Sequence, residues 1–164
     1  MQNELLIISE DSKIKTLDLL NVSPGSIKEA ASDASLVILG GLGFSGLNKR
    51  FNATQGIYRG AVLTLEEDAK RSLEFEKAYR KVNDALETSK VICLTHNPKS
   101  DWTNDAYNRN WIYVSGHTHQ NFRCVNSNKT VYSNNQIGYY ARGVALKCFE
   151  IDPSDFSQMQ FPEN

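Results

Sequence analysis

Hydrophobic residues along this chain occur in short runs that predict the strands of an α/β fold. Four runs show no alternation with polar residues, which is typical of strands covered on both faces of a sheet. These runs lie at residues 5–8, 36–39, 91–94 and 111–114. The mostly polar residues between the first two runs include Pro24 and Gly25, and they predict a connection.

The carboxyl-terminal part of the chain has a different pattern. Short segments at residues 122–125, 130–132 and 144–151 are separated by polar turns such as Asn126-Ser127-Asn128. These segments predict antiparallel strands that close the domain. The tail at residues 153–164 contains several Ser, Gln and Pro residues, and we expect it to be loose.

The spacing of apolar residues predicts one long amphipathic helix at residues 65–88. A capping box formed by Thr64 and Glu67 marks its start, because the hydroxyl and the carboxylate can each accept a backbone N–H. Glu76 and Arg80 form an i,i+4 pair on the polar face. The apolar positions recur at spacings of mostly three and four: Leu65, Ala69, Leu73, Phe75, Tyr79, Val82 and Leu86.

Length and charge narrow the functional classes. The 164 residues suit one domain, which we expect to occupy residues 1–152. The 18 Lys plus Arg against 19 Asp plus Glu leave no basic surplus for binding nucleic acid through broad electrostatics. No apolar run approaches the roughly 20 residues that span a bilayer, and no basic segment precedes the first run, as a secretory signal requires. We therefore expect a cytoplasmic protein without membrane association.

The three histidines follow two of the predicted strands. His96 comes just after the strand at 91–94, and His117 and His119 come just after the strand at 111–114. Residues beyond the carboxyl ends of strands line the ligand-binding crevice of an open α/β sheet. If the two strands are neighbours, the imidazoles converge, and imidazole is the commonest metal ligand. The pattern predicts a metal site, with solvated loop histidines as the alternative.

The cysteines allow a second interpretation of the same region. Cys93, Cys124 and Cys148 are widely spaced and odd in number, which favours reduced thiols over a disulfide framework. Cys93-x-x-His96, with Cys124 further along, is compatible with a structural zinc site. Cys93 lies inside an apolar strand, however, which favours a buried thiol.

Two short motifs contain the three histidines, and both follow apolar strands: Thr95-His96-Asn97-Pro98 and Gly116-His117-Thr118-His119. These motifs look like the last two signature motifs of the calcineurin-like metallophosphoesterases. Residues 39–46, in a Gly-rich and Asn-rich stretch at 40–60, are similar to the strand and loop ahead of the helix in a bacterial and phage-type branch. Residues 134–139 are similar to its closing strands.

The resemblance implies hydrolysis of phosphate mono- or diesters at a dinuclear metal site. By motif, His96 and His117 would bind one ion and His119 the other. Two such ions clamp the phosphoryl group and supply a hydroxide, and Mn²⁺, Fe or Zn²⁺ suits nitrogen and oxygen ligands. The candidate substrate contacts are Asn97, Gly43 and Phe44.

The upstream motifs of the family, Asp-x-His, Gly-Asp and Gly-Asn-His, do not occur in this chain. Three neutral imidazoles cannot hold two divalent cations close together without a bridging anion. Asp101 and Asp105 are candidate carboxylates, although loop acids are usually solvated. The catalytic residues therefore stay unassigned.

We expect a partial metallophosphoesterase-like layered α/β sandwich, with one main helix and carboxyl-terminal antiparallel strands. It would act as part of a larger or split enzyme, with a complementary chain or a second copy supplying the missing ligands. The alternative is an inactive remnant that binds a ligand or a protein.

Overall fold

The protein, described by a computed structural model over residues 4–41, 65–116, 122–133 and 150–156, has an α/β fold. The strands are β1 (Glu4–Ser9), β2 (Ile14–Asp18), β3 (Ala34–Gly41), β4 (Val91–Thr95), β5 (Trp111–Ser115), β6 (Phe122–Asn126) and β7 (Lys129–Ser133). The helices are α1 (Pro24–Ala30), α2 (Leu65–Ala85) and α3 (Lys99–Trp102), and Pro153–Phe156 forms a 3₁₀ turn. The predicted α/β class is confirmed.

All seven strands belong to one mixed sheet. Its order is β2-β1-β3-β4-β5-β7-β6. The four inner strands β3, β4, β5 and β7 run parallel, while β1 pairs antiparallel with both β2 and β3, and β6 pairs antiparallel with β7. The predicted meeting of the histidine motifs requires that β4 and β5 be neighbours, and these two strands do pair. The antiparallel pairing of β6 and β7 is confirmed, whereas the parallel pairing of β7 with β5 was not predicted.

The predicted connection between the first two apolar runs is wrong, because it contains β2 and α1. β2 is an edge strand with four of its five residues exposed, so it has no buried face that would produce an apolar pattern. α1 buries Ile27 alone. Its start is marked by polar signals instead: the Ser23 hydroxyl accepts the N–H of Ser26 at 3.1 Å, and Pro24 occupies the first turn.

α2 confirms the predicted long helix but ends at Ala85, and among the positions whose burial is described its buried face differs from the prediction at Leu73. Leu73 is 44% exposed, whereas Ser72 is fully buried. The buried face follows spacings of three and four through Ser72, Phe75, Tyr79 and Val82, and Leu86, just after the helix, continues it. The predicted cap residue Thr64 lies outside the described residues. The predicted ion pair is present, with Arg80 Nη2 at 2.8 Å from Glu76 Oε1.

The segment at residues 150–156 covers part of the sheet face that does not contact α2. A small apolar cluster forms there from Ile112, Val114 and Tyr132, with Ile151 and Phe156 packed on it. Ile151 belongs to no strand, and residues 144–149 lie outside the described residues. On the neighbouring strand β4, Leu94 on this face is 47% exposed. The coverage of this face is therefore uneven.

A buried carboxylate holds the 3₁₀ turn in place. Asp155 is fully buried and accepts hydrogen bonds from the Tyr132 hydroxyl and from Arg123, whose Nε lies at 3.1 Å. The bond to Asp155 raises the pKa of the Arg123 guanidinium, which stays charged. The expectation of a loose tail is thus wrong for Pro153–Phe156, while residues 157–164 lie outside the described residues.

Gly41, at the end of β3, allows α2 to approach the sheet. A Cβ at this position would stand 2.2 Å from Cε2 of Phe75, whereas a Cβ on Gly40 would have Glu4 O as its nearest neighbour at 3.9 Å. Phe75 is buried, and its ring meets that of Trp102 edge to face at 4.8 Å between ring centroids. The ring therefore has little room to move away.

We predict that Gly41→Ala lowers the free energy of unfolding by about 1–3 kcal/mol, because the added methyl group overpacks the core. Gly40→Ala, one residue away in the same strand, serves as the control and should change stability little. Urea unfolding of both variants measures the difference. Equal stability of the two variants would contradict the role of the contact between Gly41 and Phe75.

Candidate functional site

The carboxyl ends of three parallel strands stand side by side in the middle of the sheet. Gly41 of β3 pairs with Thr95 of β4, and Thr95 pairs with Ser115 of β5. The residues that follow, His96 and Gly116, are joined by a hydrogen bond of 3.1 Å from Gly116 N to His96 O. A Cβ on Gly116 would stand 3.9 Å from His96 Nδ1. The main chain that leads into residue 117 therefore begins beside the His96 ring.

Of the three predicted metal ligands, the structure places one. His96 is exposed at this edge, while His117 and His119 lie outside the described residues. The predicted proximity is therefore supported as far as Gly116, and convergence of the three imidazoles stays a prediction. Among the described residues there is no group of three His, Cys, Asp or Glu side chains that could hold a metal ion. The described part of the chain thus offers one suitable imidazole and no complete set of ligands.

The main chain after β4 is held by side chains from both of its flanks. The carbonyl of Asn97 accepts the Thr95 hydroxyl at 2.6 Å and the indole N–H of Trp102 at 3.3 Å. The preceding carbonyl, that of His96, accepts the N–H of Gly116, so the carbonyl groups of both His96 and Asn97 have hydrogen-bond partners. The exposed His96 therefore lies on a main-chain segment that is held by hydrogen bonds.

The candidate substrate contact Asn97 lies beneath this surface. It is 1% exposed, and within the described part of the chain its Oδ1 has no hydrogen-bond partner. A buried amide oxygen without a donor is costly, which marks this residue as unusual. Its contact with a substrate stays a prediction, and Gly43 and Phe44 lie outside the described residues.

The two acids after His96 have different environments. Asp101 is 1% exposed, so its interpretation as a solvated loop acid is wrong. The Asp105 carboxylate accepts two hydrogen bonds from Arg80, at 2.8 Å from Nε and 3.1 Å from Nη2, and the guanidinium lowers the pKa of that carboxyl. Asp105 is thus committed to an ion pair with α2.

Lys99 is a buried cation that the sequence pattern did not reveal. Lys99 is only 4% exposed, and its ammonium group donates a hydrogen bond to the carbonyl of Asp105. The ammonium also lies 4.7 Å from the ring centroid of Tyr107 and 5.5 Å from that of Tyr79. Burial lowers the pKa of Lys99 to about 8. No periodicity identifies such a lysine, because its partners on α2 and in the loop after α3 surround it only in the folded chain.

The thiols do not favour the alternative zinc site. Cys93 is buried in β4, as its apolar surroundings predicted, and burial raises the pKa of its thiol to about 12. Zinc binds the thiolate form, which this environment disfavours. Cys124 lies on β6, with Asn126 Nδ2 at 3.6 Å from its sulfur. Cys148 lies outside the described residues.

Comparisons with models of protein families, with curated proteins and with solved structures give no match for this chain. The resemblance to the metallophosphoesterases therefore stays a prediction from sequence motifs. Among the described helices, none has the length and apolar composition needed to cross a membrane.

Titration of Lys99 makes a pH dependence of stability testable. Its pKa is about 8 in the folded chain against 10.5 for an ordinary exposed lysine, so between these values the unfolded chain binds more protons. The free energy of unfolding should therefore rise with pH in this window, by at most about 1.4 kcal/mol per pH unit. Lys99→Met should lose this rise.

Urea unfolding between pH 7.5 and about 10 measures the effect as the difference between the wild type and Lys99→Met. The raised pKa values of Cys93 and Tyr113 act in the opposite direction, but they are common to both proteins and largely cancel. Lys77→Met, at an exposed position of α2, is the control. Parallel pH profiles of the wild type and Lys99→Met would contradict the assignment.

Proposed function

We propose that this chain is a metallophosphoesterase-type hydrolase subunit that binds divalent metal at the carboxyl edge of β4 and β5. Its substrates would be phosphate mono- or diesters. One observation carries the proposal: the two histidine motifs follow neighbouring parallel strands, and Gly116 N donates to His96 O at 3.1 Å. This contact brings the start of the second motif beside the first, which solvated and unrelated loop histidines would not require.

The described residues suit this role in part. His96 is exposed at this edge of the sheet, and the bonds to Asn97 O hold the main chain beside it. A defined main chain limits the cost of ordering a ligand when metal binds. Bound ions such as Mn²⁺, Fe or Zn²⁺ would polarise a phosphoryl group and activate water at neutral pH. The residues of this chain would contribute imidazole ligands and the hydrogen-bonded main chain at the carboxyl edge of β4 and β5.

The shortage of carboxylates supports the proposal of a split or larger enzyme. The motifs that provide a bridging acid in the family are absent from the sequence, and Asp105 is engaged with Arg80. Asp101 is buried, with 1% of its surface exposed. We therefore propose that a complementary chain, or a second copy of this one, supplies the missing ligands.

We predict that the isolated chain binds about one divalent ion weakly, and that His117→Ala abolishes the binding. Isothermal titration with Mn²⁺ and Zn²⁺, together with elemental analysis of the dialysed protein, measures it. Binding should also weaken from pH 7 to about 5.5, because imidazole must be neutral to ligate a metal. Asn104→Ala, at an exposed position of the loop after His96, is the control.

Absence of metal binding, or equal binding by His117→Ala, would contradict the proposed function. A nitrophenyl phosphate assay with added Mn²⁺ tests the proposed hydrolysis of phosphate esters. We expect little turnover from the isolated chain, because its ligand set is incomplete. Rapid turnover would show that the chain contains a complete site. Metal binding without turnover in any assembly would favour the alternative of an inactive ligand-binding remnant.

A further inference from the structure

Two buried tryptophans donate their indole N–H groups to main-chain carbonyls at opposite ends of the sheet. Trp102, in α3, donates to Asn97 O at 3.3 Å, and Trp111, at the start of β5, donates to Leu86 O at 3.2 Å. Both indoles contact the Tyr79 ring edge to face, at 5.1 Å and 5.6 Å between centroids. The two residues are thus alike in burial and bonding and differ in the carbonyl that they hold.

The carbonyl held by Trp102 belongs to the residue next to His96. This carbonyl also accepts the hydroxyl of Thr95, which ends β4, so one acceptor joins the strand to α3. Since the bond from Gly116 N holds the preceding carbonyl, the turn is fixed at two successive positions. The direction of an exposed side chain depends on its main chain. The indole is in turn held by the buried rings of Phe75 and Tyr79.

We propose that Trp102 is a positioning residue for His96, and that its indole N–H, with the Thr95 hydroxyl, sets the direction in which the imidazole leaves the sheet. The effect of Trp102 on metal affinity rests on the proposed function. Its effect on the direction of the His96 ring does not, because that effect follows from hydrogen bonds within the chain.

The test compares Trp102→Phe with Trp111→Phe, since each substitution removes one indole hydrogen bond and keeps an aromatic ring. In the metal-free protein, imidazole resonances are followed by long-range proton–nitrogen NMR and assigned with His96→Ala. We expect the His96 signals to shift or broaden in Trp102→Phe and to stay unchanged in Trp111→Phe. The dissociation constant for Mn²⁺ should rise about tenfold in Trp102→Phe, as for loss of other groups that orient metal ligands, and stay unchanged in Trp111→Phe.

Thr95→Val provides a second route if Trp102→Phe fails to fold, because it removes the other donor to Asn97 O while keeping the side-chain shape. It should act on His96 in the same direction. Its control is Thr103→Val, which removes a buried hydroxyl that donates to Glu76 Oε1 at 2.7 Å.

The possible failures are distinguishable. If the wild type binds no Mn²⁺, the proposed function is wrong, and the His96 resonances alone decide the positioning role. Unchanged His96 resonances in both Trp102→Phe and Thr95→Val would overturn the role of Trp102. Equal changes in Trp111→Phe would also overturn it, because they would indicate general loosening of the core.

Discussion

The contact between Phe75 and Gly41 is the constraint on which the arrangement of this molecule depends. The Phe75 ring occupies the space that any larger residue at position 41 would need, and Trp102 packs against the same ring. The contact brings together the end of β3, the long helix α2 and the short helix α3. Because Trp102 also holds the carbonyl of Asn97, the same packing extends from the core to the strand end that carries His96. Core packing and site geometry are therefore linked through one aromatic pair.

Sequence patterns predicted the elements that bury a continuous apolar surface and the paired strands β6 and β7, and they failed for elements that are almost entirely exposed and for buried polar residues. β1, β3, β4, β5 and α2 have clear patterns and were predicted. The edge strand β2 is almost entirely exposed, and α1 buries one side chain, so neither produces a periodic signal. Ser72 replaces Leu73 on the buried face of α2 because the contacts of the helix, rather than the polarity of one residue, set its rotation. The pairing of β7 with β5 depends on a strand neighbour that no local pattern identifies.

The position of candidate site residues was predictable only where the topology of the parallel strands determines it. The expectation that the two histidine motifs lie together follows from strand ends that share an edge, and the contact of Gly116 with His96 supports it. The burial of Lys99 and Asp101 was not predictable, because charged residues in a polar segment are usually solvated. Their environment is formed by the fold. For Lys99 it consists of a ring on α2, a ring in the following loop and the carbonyl of Asp105.

The bond network around Asp155 has a consequence for the order in which parts of the chain can fold during synthesis. Arg123 and Tyr132 are made before their shared partner, which follows them by 32 and 23 residues. Until residues 151–156 have been made, the apolar cluster at Ile112 and Val114 lacks Ile151 and Phe156 as its cover. A nascent chain in this state exposes apolar surface on an inner strand, the kind of surface that promotes aggregation. The ion pair between Arg123 and Asp155 can therefore form only after the strands that it joins to the 3₁₀ turn, in the step that covers this surface.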